Sequence, residues 1–361
     1  MRFVHSLAVL LPMALISADF DWRLPTGFPR PAVPLDNPMT AQKVELGRYL
    51  FYDSRLSGNG KQSCASCHRQ ELAFTDGRGR GLGSTGELHP RGPMSLANIA
   101  YAPRLTWANP KLESLEEQAL APMFGTEPVE LGLKGHETKL VALLKSEPVY
   151  RDRFPKVFLG DAYTVPNIIK AIAAFERSIV SMRSAYDRYR WGREPGAISE
   201  SAKRGEILFS SSKGGGCFQC HGGWNFSGAV RFEGNREPAG ENDPRTAFFN
   251  TGVSAYKEPN RGIFEHTKDS QDLGKFRAPS LRNIAVTAPY MHDGSLATLE
   301  DVLDHYMAGG RFRSSRTSGR INRFSLSQSE RADLLEFLKS LTDDALLRDQ
   351  RWSNPWPSSK P

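Results

Sequence analysis

Apolar positions recur at helical spacing in two long stretches of the chain. Ile168, Ile169, Ile172, Phe175 and Ile179 share one face, with Pro166 near the start, and predict a helix that buries that face. Towards the end, Leu334, Leu335, Phe337, Leu338 and Leu341 repeat the pattern, with Ser329 placed to cap the helix. A shorter signal occurs twice: Gly47-Arg48-Tyr49-Leu50-Phe51 and Gly205-Glu206-Ile207-Leu208-Phe209 both read G-x-x-L-F. Self-similarity of this kind predicts two copies of one unit, each amphipathic helix packing across the G-x-x-L-F helix of its own half. The stretch from Trp191 to Ala197, with its Gly and Pro, reads as the boundary. No alternating pattern is strong enough for a substantial sheet. Gly77–Gly86 and Arg231–Arg245 read as loops, and the Pro-rich run from Pro25 to Pro38 as an extended arm over the surface. The expected fold is mainly α, with an arm at 19–35 and domains at 36–190 and 191–361.

Composition changes this picture little. With 361 residues, 39% hydrophobic and 24% charged, the chain can build two ordinary globular cores. Its formal charge of +7 suits an acidic protein partner. Nucleic acid is disfavoured, because no basic run is interleaved with aromatics. Residues 1–18 read as a secretory signal: Arg2 supplies the positive start, Phe3 to Ile16 is mostly apolar, and Ile16-Ser17-Ala18 ends small. Pro12 and the short length argue against a membrane anchor, and no other segment could span a bilayer. A periplasmic location is expected.

The chemistry lies in the cysteines. All four fall in two copies of C-x-x-C-H, Cys64-Ala65-Ser66-Cys67-His68 and Cys217-Phe218-Gln219-Cys220-His221. This is the attachment signature of haem c. Residues i and i+3 share a helix face, so both thiols reach one haem, and the histidine at i+4 can bind its iron. The alternatives are a redox dithiol, a zinc site or two disulfides. None of them explains a histidine after each pair with no cysteine left over. The halves are therefore expected to be cytochrome c-like haem domains.

Lys43 to Gly47, Leu50 to Ser57, Ser63 to His68 and Ala174-Phe175-Glu176-Arg177 resemble segments of bacterial di-haem cytochrome c peroxidases. So do Ala278-Pro279-Ser280-Leu281-Arg282-Asn283 and Thr287 to Gly294. Gly83 to Arg91, Met94 to Asn98 and Phe249-Asn250-Thr251-Gly252 are most similar to the MauG- and MbnH-like branch of that superfamily. The resemblance implies that His68 serves a first haem open to hydrogen peroxide, while His221 serves a second haem that stores an oxidising equivalent. It places Gln118 and Glu130 in the peroxide pocket, where one carboxylate can take and return a proton. It places Trp107 between the haems as a charge relay. Tyr306 falls where ordinary peroxidases carry methionine and MauG-like members carry tyrosine. A phenolate favours a higher oxidation state than a thioether does, and Met307 is one residue out of register. His89 is in poor register for a distal ligand and is not expected to bind iron in the resting state. Calcium between the haems is implied through backbone oxygens of Thr287 and Pro289, but the asparagine expected after Arg91 is Gly92.

The function so implied is a peroxide-driven di-haem oxidoreductase. It forms a high-valent di-haem state and oxidises an aromatic residue, tryptophan first, of an exported partner protein. Trp224, three residues after His221, is a candidate exit point for the charge. The alternative is a cytochrome c peroxidase drawing electrons from a small cytochrome or copper protein; a plain electron carrier would have no use for Glu130 with Gln118.

Overall fold

Two pairs of helices cross where the sequence leaves a glycine. The computed structural model describes residues 20–235, 245–255 and 259–357. The signal read at residues 1–18 and most of the loop read at Arg231–Arg245 lie outside them. In the first half, the Ala41–Tyr52 helix crosses the Val165–Arg177 helix. In the second, Glu200–Phe209 crosses Gln328–Ser340 in the same way. A Cβ at Gly47 would collide with the carbonyl of Ala171, and one at Gly205 with the carbonyl of Asp333. The glycine of G-x-x-L-F thus lets two backbones touch, while the Leu and Phe beside it (Leu50, Phe51; Leu208, Phe209) are buried.

The two long helices begin where local chemistry favours it. Thr164 accepts a hydrogen bond from the Asn167 N–H, and Pro166 sits in the first turn, where no N–H is needed. Ile168, Ile169, Ile172 and Phe175 are buried as their spacing predicts, and Ile179 is buried just beyond the last turn. The C-terminal helix starts earlier than expected. Its cap is Ser327, not Ser329, because Ser327 and Glu330 bond each other's backbone N–H in a capping box that Ser329 cannot form.

A second repeat was not legible from periodicity. Ser95-Leu96-Ala97-Asn98-Ile99-Ala100 and Ser280-Leu281-Arg282-Asn283-Ile284-Ala285 have the same build. Each asparagine is left-handed, at φ 60° and 62°, and opens a single 3-10 turn. Each serine hydroxyl donates to a distant carbonyl, Ala73 at 2.6 Å and Asn225 at 2.6 Å. The described residues are otherwise mainly helix and loop. Their one sheet is a two-stranded antiparallel ribbon, β1 (Phe248–Phe249) and β2 (Phe276–Arg277), with Phe248 opposite Arg277.

One core is built from Leu46 to Ile179, the other from Tyr186 to Leu341. The chain's last stretch does not stay with the second. Leu346 and Trp352 are buried in the first core, and Trp356 packs on its edge. The Tyr52 hydroxyl donates to the Trp352 carbonyl at 2.6 Å, and the Trp352 indole donates to the Ser178 carbonyl at 3.2 Å. Apolar burial of this size stabilises by about 2 kcal/mol per large side chain. The halves also touch directly: a Cβ on Gly294 (φ 66°) would collide with Gly79, and the Gly92 N–H donates to the His292 carbonyl at 3.0 Å. The N-terminal arm packs Phe28 against the rings of Trp191 and Trp224. No helix among the described residues is long and apolar enough to cross a membrane.

Candidate haem sites and the path between them

Each C-x-x-C-H stretch forms one turn of helix at the wall of a cavity. Cys64–Cys67 is helical, and the His68 N–H closes the turn on the Cys64 carbonyl at 3.0 Å. Cys64, Cys67 and His68 then line one cavity of about 320 Å³, with Leu96, Ile99, Leu105 and Leu131 among its apolar walls. The His68 ring approaches the Phe74 carbonyl through Nδ1 at 2.8 Å. A carbonyl can only accept, so Nδ1 carries the proton and Nε2 keeps its lone pair for a metal. Burial holds the imidazole below its usual pKa, in the neutral form that binds iron.

The second turn is built alike. The His221 N–H closes on the Cys217 carbonyl at 3.0 Å, and His221 Nδ1 donates to the Pro279 carbonyl at 3.0 Å. Cys217, Cys220 and His221 line a cavity of about 180 Å³ with Phe209, Phe249, Leu303 and Leu338. None of the four thiols is in a disulfide. Burial raises all four thiols above their ordinary range, so neither C-x-x-C pair is poised for dithiol exchange. Paired thiols, a histidine lone pair and an apolar slot fit haem c at both places.

The other residues singled out from the sequence sort between these cavities. Gln118, at the end of the Leu115–Gln118 helix, and Glu130 both line the first. Glu130 is held by its backbone, whose carbonyl accepts from the Ser84 N–H at 2.7 Å. Desolvation raises its carboxyl to about 7, the range in which a group can both take and give a proton near neutrality. Tyr306 lines the second cavity, whereas Met307 does not. Burial, and then the nearby cysteines, push the Tyr306 hydroxyl well above its usual range. Trp107 lines both cavities and a third of about 110 Å³ between them, and its indole donates to the Gly92 carbonyl at 2.8 Å.

Thr287, Pro289 and Gly92 line that third cavity. Among the described residues its wall carries no carboxylate, and Gly92 supplies no side-chain oxygen, so a calcium ion would depend on main-chain carbonyls and water. Trp224 is half-buried, edge-packed by Tyr101 with ring centres 4.8 Å apart and by Phe28.

Three side chains at these cavities were given no role by the sequence reading or were set aside. His89 reaches the first cavity after all, its Nε2 3.9 Å from Glu130 Oε1. Burial and then Arg91 keep His89 below its usual range. Glu176, part of the Ala-Phe-Glu-Arg stretch, lines the same cavity with one carboxyl oxygen unpartnered, and burial raises it to about 8. His292 lies in the second, stacked on Phe276 at 3.6 Å with Nε2 unpartnered. No spacing rule could have found them, since each acts across a cavity wall built from distant segments.

Two C-x-x-C-H turns on one mainly helical chain, each at the wall of its own cavity, define a double cytochrome c. The chain belongs to the di-haem cytochrome c peroxidase family, whose model matches residues 41–195. Cytochrome-c peroxidase IdrP1 of Denitromonas iodatirespirans is 34% identical over 363 residues, covering 95% of this chain and 94% of that one. Methylamine utilization protein MauG of Methylorubrum extorquens is 35% identical over 330 residues, covering 91% and 85%. The crystal structure of a MauG-like protein associated with microbial copper homeostasis is 44% identical, with TM-score 0.89, covering 94% of this chain and all of that one. The chain is thus a haem peroxidase-type oxidoreductase with two haems c and peroxidase-type chemistry on hydrogen peroxide.

Because thioether bonds survive acid and organic solvent, both haems are expected to stay with the chain through acid–acetone extraction. Mass spectrometry of the denatured protein checks this: two haem masses are expected, and one would remove a site.

Proposed function

We propose that this protein is exported to the periplasm, takes oxidising equivalents from hydrogen peroxide, and uses them on an aromatic residue, tryptophan first, of an exported partner protein. Tyr306 facing the second cavity carries this reading. A phenolate suits a site that holds an oxidising equivalent, while a thioether suits routine electron delivery. The likeness to a MauG-like protein associated with copper homeostasis supports the same branch.

Haem bound through Cys64, Cys67, His68 and through Cys217, Cys220, His221 would supply the iron at each end. Glu130 would take the proton from peroxide in the first cavity and return it to the departing oxygen, with Gln118 holding the oxygens by hydrogen bonding. Trp107, reaching both cavities, would pass charge over a gap too wide for one efficient step. Its hydrogen bond to Gly92 fixes the ring plane. Tyr306, with His221, would hold the second iron. Calcium, if held by Thr287 and Pro289, would bind through main-chain carbonyls and water. The domains would run 36–190 and 191–361, with residues 1–18 removed on export. A whole protein cannot enter either cavity, so electrons would leave the partner across a docking surface, and the positive net charge favours an acidic one.

The second reading, electrons from a small cytochrome or copper protein, rests on relatives named cytochrome-c peroxidase. One experiment separates them. The enzyme is incubated with peroxide and a candidate acidic exported protein, and the partner's mass is followed. Oxygen added at one aromatic residue is the expected outcome. An unmodified partner together with rapid oxidation of reduced cytochrome c would establish the peroxidase reading instead.

A further inference from the structure

Of the four arginines at these cavities that are not exposed, three are matched by an acid. Arg91 forks onto Glu265 at 2.7 Å, Arg104 pairs with Glu113 at 2.8 Å, and Arg282 is clamped by Asp187 at 2.7 Å. Arg277 differs. It ends β2, where its N–H donates to the Trp107 carbonyl at 2.9 Å, and its side chain lines both the second cavity and the one between the haem sites. Its guanidinium touches only the uncharged Met94 sulfur, at 3.1 Å, and its Nε is buried without a partner. Burial without compensation lowers its pKa to about 10. A buried cation is costly unless an anion faces it. Among the described residues neither cavity has an aspartate or glutamate in its wall, which leaves the anion to whatever fills the space.

We propose that Arg277 is a carboxylate clamp that grips a propionate of the second haem and holds that edge of the ring against Trp107. The inference rests on the haem assignment for the second cavity and is independent of the tryptophan-oxidation reading. The geometry supports it from three sides. Arg277 is two residues from Pro279, whose carbonyl orients His221. Phe276, its other neighbour, stacks on His292 in the same wall. The guanidinium fork matches a carboxylate in two hydrogen bonds, which a lysine in its place would not. The segment 276–279 would thus set the proximal histidine, one ring edge and the contact with the relay indole together.

The test uses the holoprotein with both haems confirmed by mass and with the propionate carbons isotopically labelled. Arg277→Gln is expected to lower the midpoint potential of the second haem, because an unneutralised propionate stabilises the oxidised iron, and to move its labelled carboxylate band in the infrared difference spectrum. Arg277→Lys keeps the charge and gives up the fork, so the potential is expected to stay near wild type while the band still moves. It also serves if the glutamine variant does not mature. A band unchanged in whichever variant carries both haems would overturn the clamp. So would a wild-type potential that shifts with added acetate and loses that response in Arg277→Gln, since the guanidinium would then be holding a carboxylate from solvent.

Discussion

Replacing Glu130 with glutamine is expected to slow the reaction with peroxide by about 10²- to 10⁴-fold, the usual contribution of one general acid–base group. Both haems are expected to stay attached, because Glu130 touches neither haem-binding turn through any hydrogen bond. The pH profile adds a second signature. The proton-accepting form is the carboxylate, and burial puts its pKa at about 7, so the wild-type rate rises as pH passes upward through that region. The glutamine variant loses that limb. Stopped-flow mixing with peroxide across pH checks both expectations, and a rate within about twofold of wild type would take Glu130 out of the mechanism. His89 is close enough, at 3.9 Å, to reshape the limb if it gains a proton, but burial and Arg91 keep it neutral near pH 7.

The Tyr306→Phe variant is expected to abolish the low-spin signal of the second haem in the ferric protein, while Met307→Leu leaves it intact. Both residues lie on the Leu299–Met307 helix, about 100° apart around its axis. Only Tyr306 looks into the cavity that holds His221. Phenylalanine keeps the packing and removes the oxygen, so the change is read as ligation rather than as collapse. Electron paramagnetic resonance of the two variants distinguishes them, and the reverse pattern would mean that the helix is turned by one residue.

Much of this was legible along the chain because the chemistry is local. A haem c turn needs its two thiols and histidine within five residues, and a helix crossing needs its glycine beside its own apolar pair, so both wrote themselves as motifs. Gln118, Glu130 and Tyr306 carry no such local pattern. They were found only through resemblance, and the cavities then gathered them. What sequence could not convey is the state of a side chain that no short segment determines. Arg277 looks ordinary until the described walls around it prove to lack acids, and Glu176 until its second oxygen proves to have no hydrogen-bond partner. His89 was set aside on register alone, although its loop folds back so that the Gly83 N–H meets Glu87 and brings the ring to Glu130. The Ser327 cap is hidden for a simpler reason. Three serines lie close together there, and only the Ser-x-x-Glu spacing selects between them.

The returning tail bears on how the molecule can be taken apart. The chain has two cores and two haem-binding turns, yet it is not a pair of separable beads. Gln70, three residues past Cys67, is anchored to the Leu346 and Asp349 carbonyls, each at 2.9 Å. Arg48, inside the first G-x-x-L-F, reaches the Gln350 carbonyl at 2.8 Å. A cut near residue 190 would part the two haem motifs and also strip the first core of Leu346, Trp352 and Trp356, which the far end of the polypeptide provides. The first half is therefore complete only once the last residues of the chain are in place.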